Sequence, residues 1–369
     1  MTLHPFPRRA LARSLALLTV LGGVIPTVFA PAALARATTP RAQLTRPAAA
    51  LAYTPREVHK VTLDELSIDG PALWTVGAGI PAPTPGPDAI LAALAWTGTD
   101  SAHRLNLLLS DNGQQYSRKL TLNESSDFRP GLVMVNAQGA TLPVVAWTGT
   151  DANHSLNVLY DAYGARRKLA LAENSDTAPS LAFFAGQVWL AWRGTDPNHS
   201  LNIRAMGANG LTPGAKTILR QYPVLGRPSL IADARDKLLM VTWASSAAPH
   251  YINFAVSSDG ASWRTPLAAP PPQTSHNGPA IFALNPPPPT GAPGYFWAWT
   301  GTDAAHSLNL ATAERYTSWP GPITTFDEQC FAGPSMGYVG QPNQVLIAWT
   351  GTDAAHHLNA GLFQVAPTS

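Results

Sequence analysis

Six small antiparallel sheets set in a ring, an all-β six-bladed propeller with four strands per blade, are what the sequence predicts, and three observations carry the prediction. Trp96, Trp147, Trp192, Trp243, Trp299 and Trp349 lie 51, 45, 51, 56 and 50 residues apart by subtraction of their numbers, a period that marks stacked structural units. Each period divides into four short apolar runs separated by Gly, Asn, Asp and Pro clusters, as antiparallel hairpins require. No period holds a helix-spaced segment long enough to replace a strand.

The third period shows the plan. Pro179-Ser180-Leu181 opens a first strand, Val188 to Trp192 forms a second, Leu201 to Met206 a third and Ala215 to Leu219 a fourth. The openings recur at Gly70-Pro71, Arg129-Pro130, Ala178-Pro179, Arg227-Pro228, Gly278-Pro279 and Gly333-Pro334, which makes six blades. The last period stops after its third strand, near Val365, and His59 to Glu65 matches the fourth strands Arg118 to Glu124 and Arg167 to Glu173. The N-terminal strand is therefore expected to complete the last blade, leaving no open edge in the ring.

Residues 1–35 read as a secretory signal peptide, with Arg8 and Arg9, an apolar run from Ser14 to Ala33 and small residues at Ala33-Leu34-Ala35. Residues 36–55 read as an Ala/Pro-rich disordered linker and 56–369 as the propeller. The expected location is extracellular by general secretion, with no membrane span after signal removal. A net charge of +2 with 12% charged residues excludes a basic nucleic-acid binder. Cys330 is the only cysteine, so packing rather than an internal disulfide must hold the fold.

The turn between third and fourth strands carries a family resemblance. Ser257-Ser258-Asp259-Gly260-Ala261-Ser262-Trp263 is similar to an Asp-box (BNR repeat), the turn of sialidase-like propellers, and Asp111 to Tyr116 is a weaker version. The resemblance implies that the loops joining strands two and three form the substrate side.

On that side the chain repeats one string five times: WTGTDSAHRLN, WTGTDANHSLN, WRGTDPNHSLN, WTGTDAAHSLN and WTGTDAAHHLN. Its ligand-binding candidates are Trp96, Asp100, His103 and Asn106; Trp147, Asp151, His154 and Asn157; Trp192, Asp196, His199 and Asn202; Trp299, Asp303, His306 and Asn309; Trp349, Asp353, His356 and Asn359. Two readings stand open. In one the string is a brace: Trp packs between blades, Gly permits a tight turn, Asp accepts turn N–H groups and orients His, and Asn pairs with backbone. In the other, planar polar groups beside an aromatic surface bind a sugar in each blade or between blades. Metal binding fits poorly, because two ligands per blade leave a cation undercoordinated. Trp243 to Asn253 keeps Trp, His and Asn but loses Gly, Thr and Asp.

The sialidase resemblance implies an arginine cluster for a substrate carboxylate, a Tyr–Glu nucleophile pair and an acidic Asp. Arg104, Arg129, Arg193 and Arg227 fall on the predicted face as candidates for the first, since guanidinium binds carboxylate in bidentate fashion. Tyr222, Tyr251, Glu65, Glu124 and Glu173 supply phenols and carboxylates without pairing any two of them. No catalytic residue is assigned, and no nucleotide, metal or nucleophile-elbow motif calls for a cofactor. Near-identical hairpins favour repeated binding over one asymmetric catalytic site. The expectation is a secreted, monomeric, non-catalytic propeller that recognises a glycan or cell-surface polymer; the alternative is a glycoside hydrolase of exo-sialidase-like type.

Overall fold

The computed structural model describes residues 53–76, 90–111, 115–137, 140–162, 165–265, 273–284, 293–317, 323–338 and 343–367. The signal peptide, residues 36–52, Pro81 to Pro87 and most of Pro286 to Pro293 lie outside them, as does the centre of the Asp111 to Tyr116 turn.

The strands fall into six separate sheets. Strand β1 (Tyr53–Leu66) comes first, and blade one follows as β2 (Ala72–Thr75), β3 (Ala92–Thr97), β4 (Arg104–Ser110) and β5 (Arg118–Ser125). Blade two is β6 (Gly131–Ala137), β7 (Ala140–Thr148), β8 (Ser155–Ala162) and β9 (Ala165–Asn174). Blade three is β10 (Ser180–Phe184), β11 (Gln187–Arg193), β12 (Ser200–Ala205) and β13 (Lys216–Pro223). Blade four is β14 (Ser229–Asp233), β15 (Leu238–Ala244) and β16 (Ile252–Ser257). Blade five is β17 (Ala280–Ala283), β18 (Tyr295–Thr300), β19 (Ser307–Ala313) and β20 (Ile323–Gln329). Blade six is β21 (Ser335–Gly337), β22 (Gln344–Thr350) and β23 (His357–Pro367), with β1 as its outer strand.

Burial explains the sequence pattern of each strand. The second strands β3, β15 and β18 are buried at every position, so they read as continuous apolar runs rather than alternating ones. The outer strand β20 alternates exposed and half-buried residues, because solvent bathes one of its faces. The inner strands touch in a closed circuit, β2 to β6 to β10 to β14 to β17 to β21 and back to β2. Apolar clusters lie between neighbouring sheets: Phe296, Val345 and Phe363 join blades five and six, and Leu94, Trp96 and Leu358 join blades six and one.

Two boundaries differ from expectation. β1 starts at Tyr53, so Tyr53, Thr54 and Pro55 are strand residues rather than the end of the linker; Tyr53 pairs with Pro367 and packs into the blade five to six cluster. Blade four shows three strands among the described residues. In place of a fourth, single bridges join Val256 to Arg264 and Tyr251 to Thr274, on either side of residues 266–272, which lie outside the described set.

The ring closes through β1 against β23, with Val61 opposite Ala360 and Thr62 opposite Asn359. A chain that begins at Ile68 removes this strand and leaves β23 as an edge. It is expected to unfold about 10 °C or more below the full chain, or without a single cooperative transition. Circular dichroism melts test this, and equal midpoints would show that closure is dispensable.

Candidate functional site

Each WTGTD hairpin is built around its Asp. In blade two, His154 N–H donates to the Asp151 carbonyl at 2.8 Å, closing the turn. The Asp151 carboxylate accepts from Asn153 N–H at 3.1 Å, Ser155 N–H at 3.1 Å and Ser155 Oγ at 2.9 Å. His154 then sits in the left-handed region with φ 52°, as do His103 (47°), His199 (49°), His306 (53°) and His356 (59°). Histidine is among the few non-glycine residues enriched there. That conformation presents the His carbonyl to the chain leaving the outer strand, where it accepts N–H from Ser126, Ser175, Val224, Cys330 and Ser67 at 3.0–3.1 Å.

The glycine answers to space rather than to φ. A Cβ on Gly149 would lie 2.7 Å from Asp151 Oδ2, and one on Gly194 would lie 2.6 Å from both Asp196 Oδ2 and Asn202 Nδ2. The Asn amide fills the rest of this crowded corner by donating to the carbonyl two residues before it, as Asn157 does to Ser155 at 2.8 Å. The fourth copy follows from the same geometry. Where Ala247 replaces Asp, Ser245 replaces Gly, and His250 keeps φ 65° and still donates to the Ala247 carbonyl.

Thr closes the link to the next blade: Thr97, Thr148, Thr300 and Thr350 Oγ1 donate to the carbonyls of Phe128, Thr177, Ala332 and Asp69. The Asp carboxylates do not pair with the side chains of His103, His154, His199, His306 or His356, although Asp353 meets the extra His357 of its string at 2.7 Å. His103 Nδ1 instead meets Asp127 at 2.7 Å, and the Phe331 ring lies 3.9 Å from His356.

The six Trp residues are at most 2% exposed, so their ring faces are not open platforms. Lys60, Lys119, Lys168 and Lys216 lie over Trp349, Trp96, Trp147 and Trp192 at 5.2–5.7 Å from the ring centroids, a favourable cation–π geometry. Each Lys is held by a Glu of the preceding blade's outer strand: Glu328, Glu65, Glu124 and Glu173. The recurrent Glu is thus a strut between blades.

A cavity of about 270 Å³ opens beside this strut between blades two and three. Glu173 and Asn174 form one wall, and Trp192, Asp196, Asn202, Lys216 and Arg220 the other. In blades one, five and six the Asn side-chain oxygen is capped by Thr121, Thr325 or Thr62 from the outer strand. In blade three the residue opposite Asn202 is Ile218, and in blade two the residue opposite Asn157 is Ala170, neither of which has a hydroxyl to give. The bulge in β13 lies between Leu219 and Pro223, and from the partner of the Asn to the partner of the Ser the strand runs from Ile218 to Pro223, one residue longer than from Ala170 to Asn174 in β9. Arg220 sits in that bulge, exposed and without an ion-pair or hydrogen-bond partner among the described residues. Arg220 and Lys216 were not legible as site residues, because the bulge that places Arg220 has no sequence signature.

The four candidate arginines do not converge as one set. Arg104 pairs with Asp100 at 3.3 Å in its own hairpin. Arg193 Nη1 donates to the Leu225 carbonyl at 2.6 Å, and its Nη2 lies 3.4 Å from Asp176. Arg129 is buried, donating to Gly333 O and Ser335 Oγ across the axis. Arg227 is half-buried near Arg129. Tyr222 stacks on Trp243, and Cys330 is buried, its thiol pushed up to about 12 by desolvation.

Two predictions follow from the hairpin. Gly149→Ala is expected to cost about 1–3 kcal/mol in the wild type and less than half as much in an Asp151→Ala background. A double-mutant cycle by urea unfolding tests this, and additive effects would reject the shared-space account. Acid dependence is the second. Partial burial works against ionisation of Asp151, Asp196 and Asp303, yet hydrogen bonds from Ser155, Ser200 and Ser307 and from turn N–H groups hold each carboxyl below its ordinary value. Depressed folded-state values stabilise above the unfolded pKa, about 3.9, and that contribution is lost as pH falls below it. The melting midpoint is therefore expected to drop more steeply below pH 4 in the wild type than in Asp151→Ala.

Neither a protein-family model nor a curated protein sequence matches the chain. Solved structures do match. AofleA from Arthrobotrys oligospora is 12% identical with a TM-score of 0.55, the match covering 86% of this chain and 90% of that one. The SapL1 lectin, solved in complex with alpha methyl fucoside, is 10% identical with a TM-score of 0.53, covering 82% and 97%. A subtype N10 neuraminidase-like protein of A/little yellow-shouldered bat/Guatemala/060/2010 is 9% identical with a TM-score of 0.50, covering 85% and 100%. At these identities the likeness is one of fold: the chain is a six-bladed β-propeller of an architecture found in a lectin and in a neuraminidase-like protein.

Proposed function

We propose that the protein is a secreted glycan-binding propeller, acting as a monomer, whose principal site is the cavity between blades two and three. The single observation that carries this is the lining of that cavity: a carboxylate, an amide, an uncapped Asn oxygen and an unpaired guanidinium converge on a space of about 270 Å³ beside Trp192 and the apolar Ile218. A monosaccharide presents hydroxyls in fixed directions beside C–H surface, and planar polar groups next to an apolar wall read both. Arg220 supplies donors without first breaking an ion pair. The Lys216 ammonium, lying between Glu173 and the Trp192 ring, forms the floor.

The fold of the SapL1 lectin lends this reading support. The turn at Ser257–Trp263 supports a distant kinship with Asp-box propellers: Asp259 accepts from Ala261 N–H at 2.8 Å and Ser262 N–H at 2.7 Å, and Trp263 Nε1 donates to Gly260 O. In this reading the WTGTD strings are the frame and not the ligand contacts, except Trp192, Asp196 and Asn202, which form part of one wall.

A glycan array on the full chain is expected to give saturable binding. Arg220→Ala and Glu173→Gln should each weaken it at least tenfold, about 1.4 kcal/mol, with the melting midpoint of Arg220→Ala unchanged. Binding that survives both substitutions places the ligand elsewhere, and no binding to any glycan removes the reading.

A further inference from the structure

The axial mouth of the propeller holds positive charge with too little to balance it. Arg129 is 2% exposed, yet its two terminal nitrogens donate only to neutral groups, Gly333 O and Ser335 Oγ, and its buried Nε has no partner. Arg227, half-buried, lines the axial cavity and makes no ion pair or hydrogen bond among the described residues. The nearby acidic group that offsets them is Asp69. Its carboxylate is already engaged by the N–H groups of Gly70 and Arg129 and lies within salt-bridge distance of neither guanidinium. Burying an unpaired cation is costly, and burying two side by side more so. The charges themselves register this: desolvation brings Arg129 down to about 10, and desolvation with repulsion from Arg129 holds Arg227 well below its ordinary value.

Beside Arg227 the cavity wall carries Ser180, Ser229 and Ser335, and the space is about 60 Å³. One water needs only about 10–15 Å³ of such space, so the cavity holds a small ion with its water, and it is well below the roughly 270 Å³ of the cavity between blades two and three. We propose that the mouth of the axial cavity binds a small monovalent inorganic anion of chloride size, held by Arg227 and the serine-lined wall, with Arg129 as the second positive charge behind it. The anion would act as a structural pin. It joins the openings of blades three and four, which carry Ser180, Ser229 and Arg227, in front of Arg129 of blade two; the Ser335 hydroxyl is already spent, donating to Pro71 O and accepting from Arg129. This site is separate from the cavity between blades two and three, and neither depends on the other.

Chloride-35 NMR on the full chain tests it directly, with ionic strength held constant by a bulky sulfonate salt. The expected result is saturable excess line broadening that bromide competes away. Arg227→Met should reduce the broadening at least threefold, whereas Arg104→Met, which alters an exposed arginine, should leave it intact. The melting midpoint of the wild type should rise with chloride under the same conditions. If Arg227→Met fails to fold, Arg227→Lys, which loses the guanidinium fork, is expected to weaken the broadening at least threefold. Broadening that never saturates, or that is the same in the folded Arg227 variant, overturns the site.

Discussion

A blade of this protein has two apolar faces and can bury neither of them by itself. That constraint governs the rest. Second strands such as β3 and β18 are buried along their whole length because a neighbouring sheet covers each side, and neighbours on both sides exist for all six blades only when the ring is closed. Closure falls to a strand from the other end of the chain, β1 against β23. The folded state is therefore tied to the longest-range contact the chain can make, between its first and last described strands.

Given closed packing of faces, the remaining task is to hold the blades in register, and the WTGTD hairpin does this at one end. A left-handed His carbonyl captures the chain leaving the outer strand, and Thr Oγ1 captures the opening of the next blade. At the rim, Lys and Glu from successive outer strands meet over a buried Trp. Exposed pairs of this kind are individually weak, but here each spans two sheets, so it resists sliding of one blade against another. Hairpin, linking hydrogen bonds and rim pairs together bracket the interfaces of blades one and two, two and three, five and six, and six and one, with Arg193 standing in for the linking Thr between blades three and four.

This explains what could be read from the chain and what could not. The repeat period, strand number, blade number and N-terminal closure were all legible, because each blade must solve the same packing problem and so repeats the same letters. The brace role of Asp and Asn was legible as one of two readings, since turn chemistry has a local signature. The geometric reason for Gly was not: it answers to the Asp carboxylate across the turn, a contact visible only in three dimensions. Nor could the strings show that the rings of Trp96, Trp147 and Trp192 are covered by Lys119, Lys168 and Lys216 of the outer strand, and that of Trp349 by Lys60 of β1. Arg129 and Arg227 were legible as arginines on one face, but only the fold sets them at the axis, apart from Arg104 and Arg193.

The place to look for function in such a molecule is where the repeat is broken, because identical positions are already accounted for by the shared packing. Blade three breaks it three times within one strand. Ile218 stands where Thr caps the Asn in blades one, five and six, an absence shared with Ala170 in blade two, while the longer bulge and the unpaired Arg220 belong to blade three alone among the described outer strands. Each change alone would weaken the outer edge of a blade, by exposing an Asn oxygen, loosening a ladder or leaving a charge idle. Together they open a cavity lined by groups that a polyhydroxylated ligand can satisfy. A defect that is local, concave and chemically coherent, in a blade whose inner strands keep the common pattern apart from Arg193 in place of Thr, fits the site proposed on this frame better than decay of it.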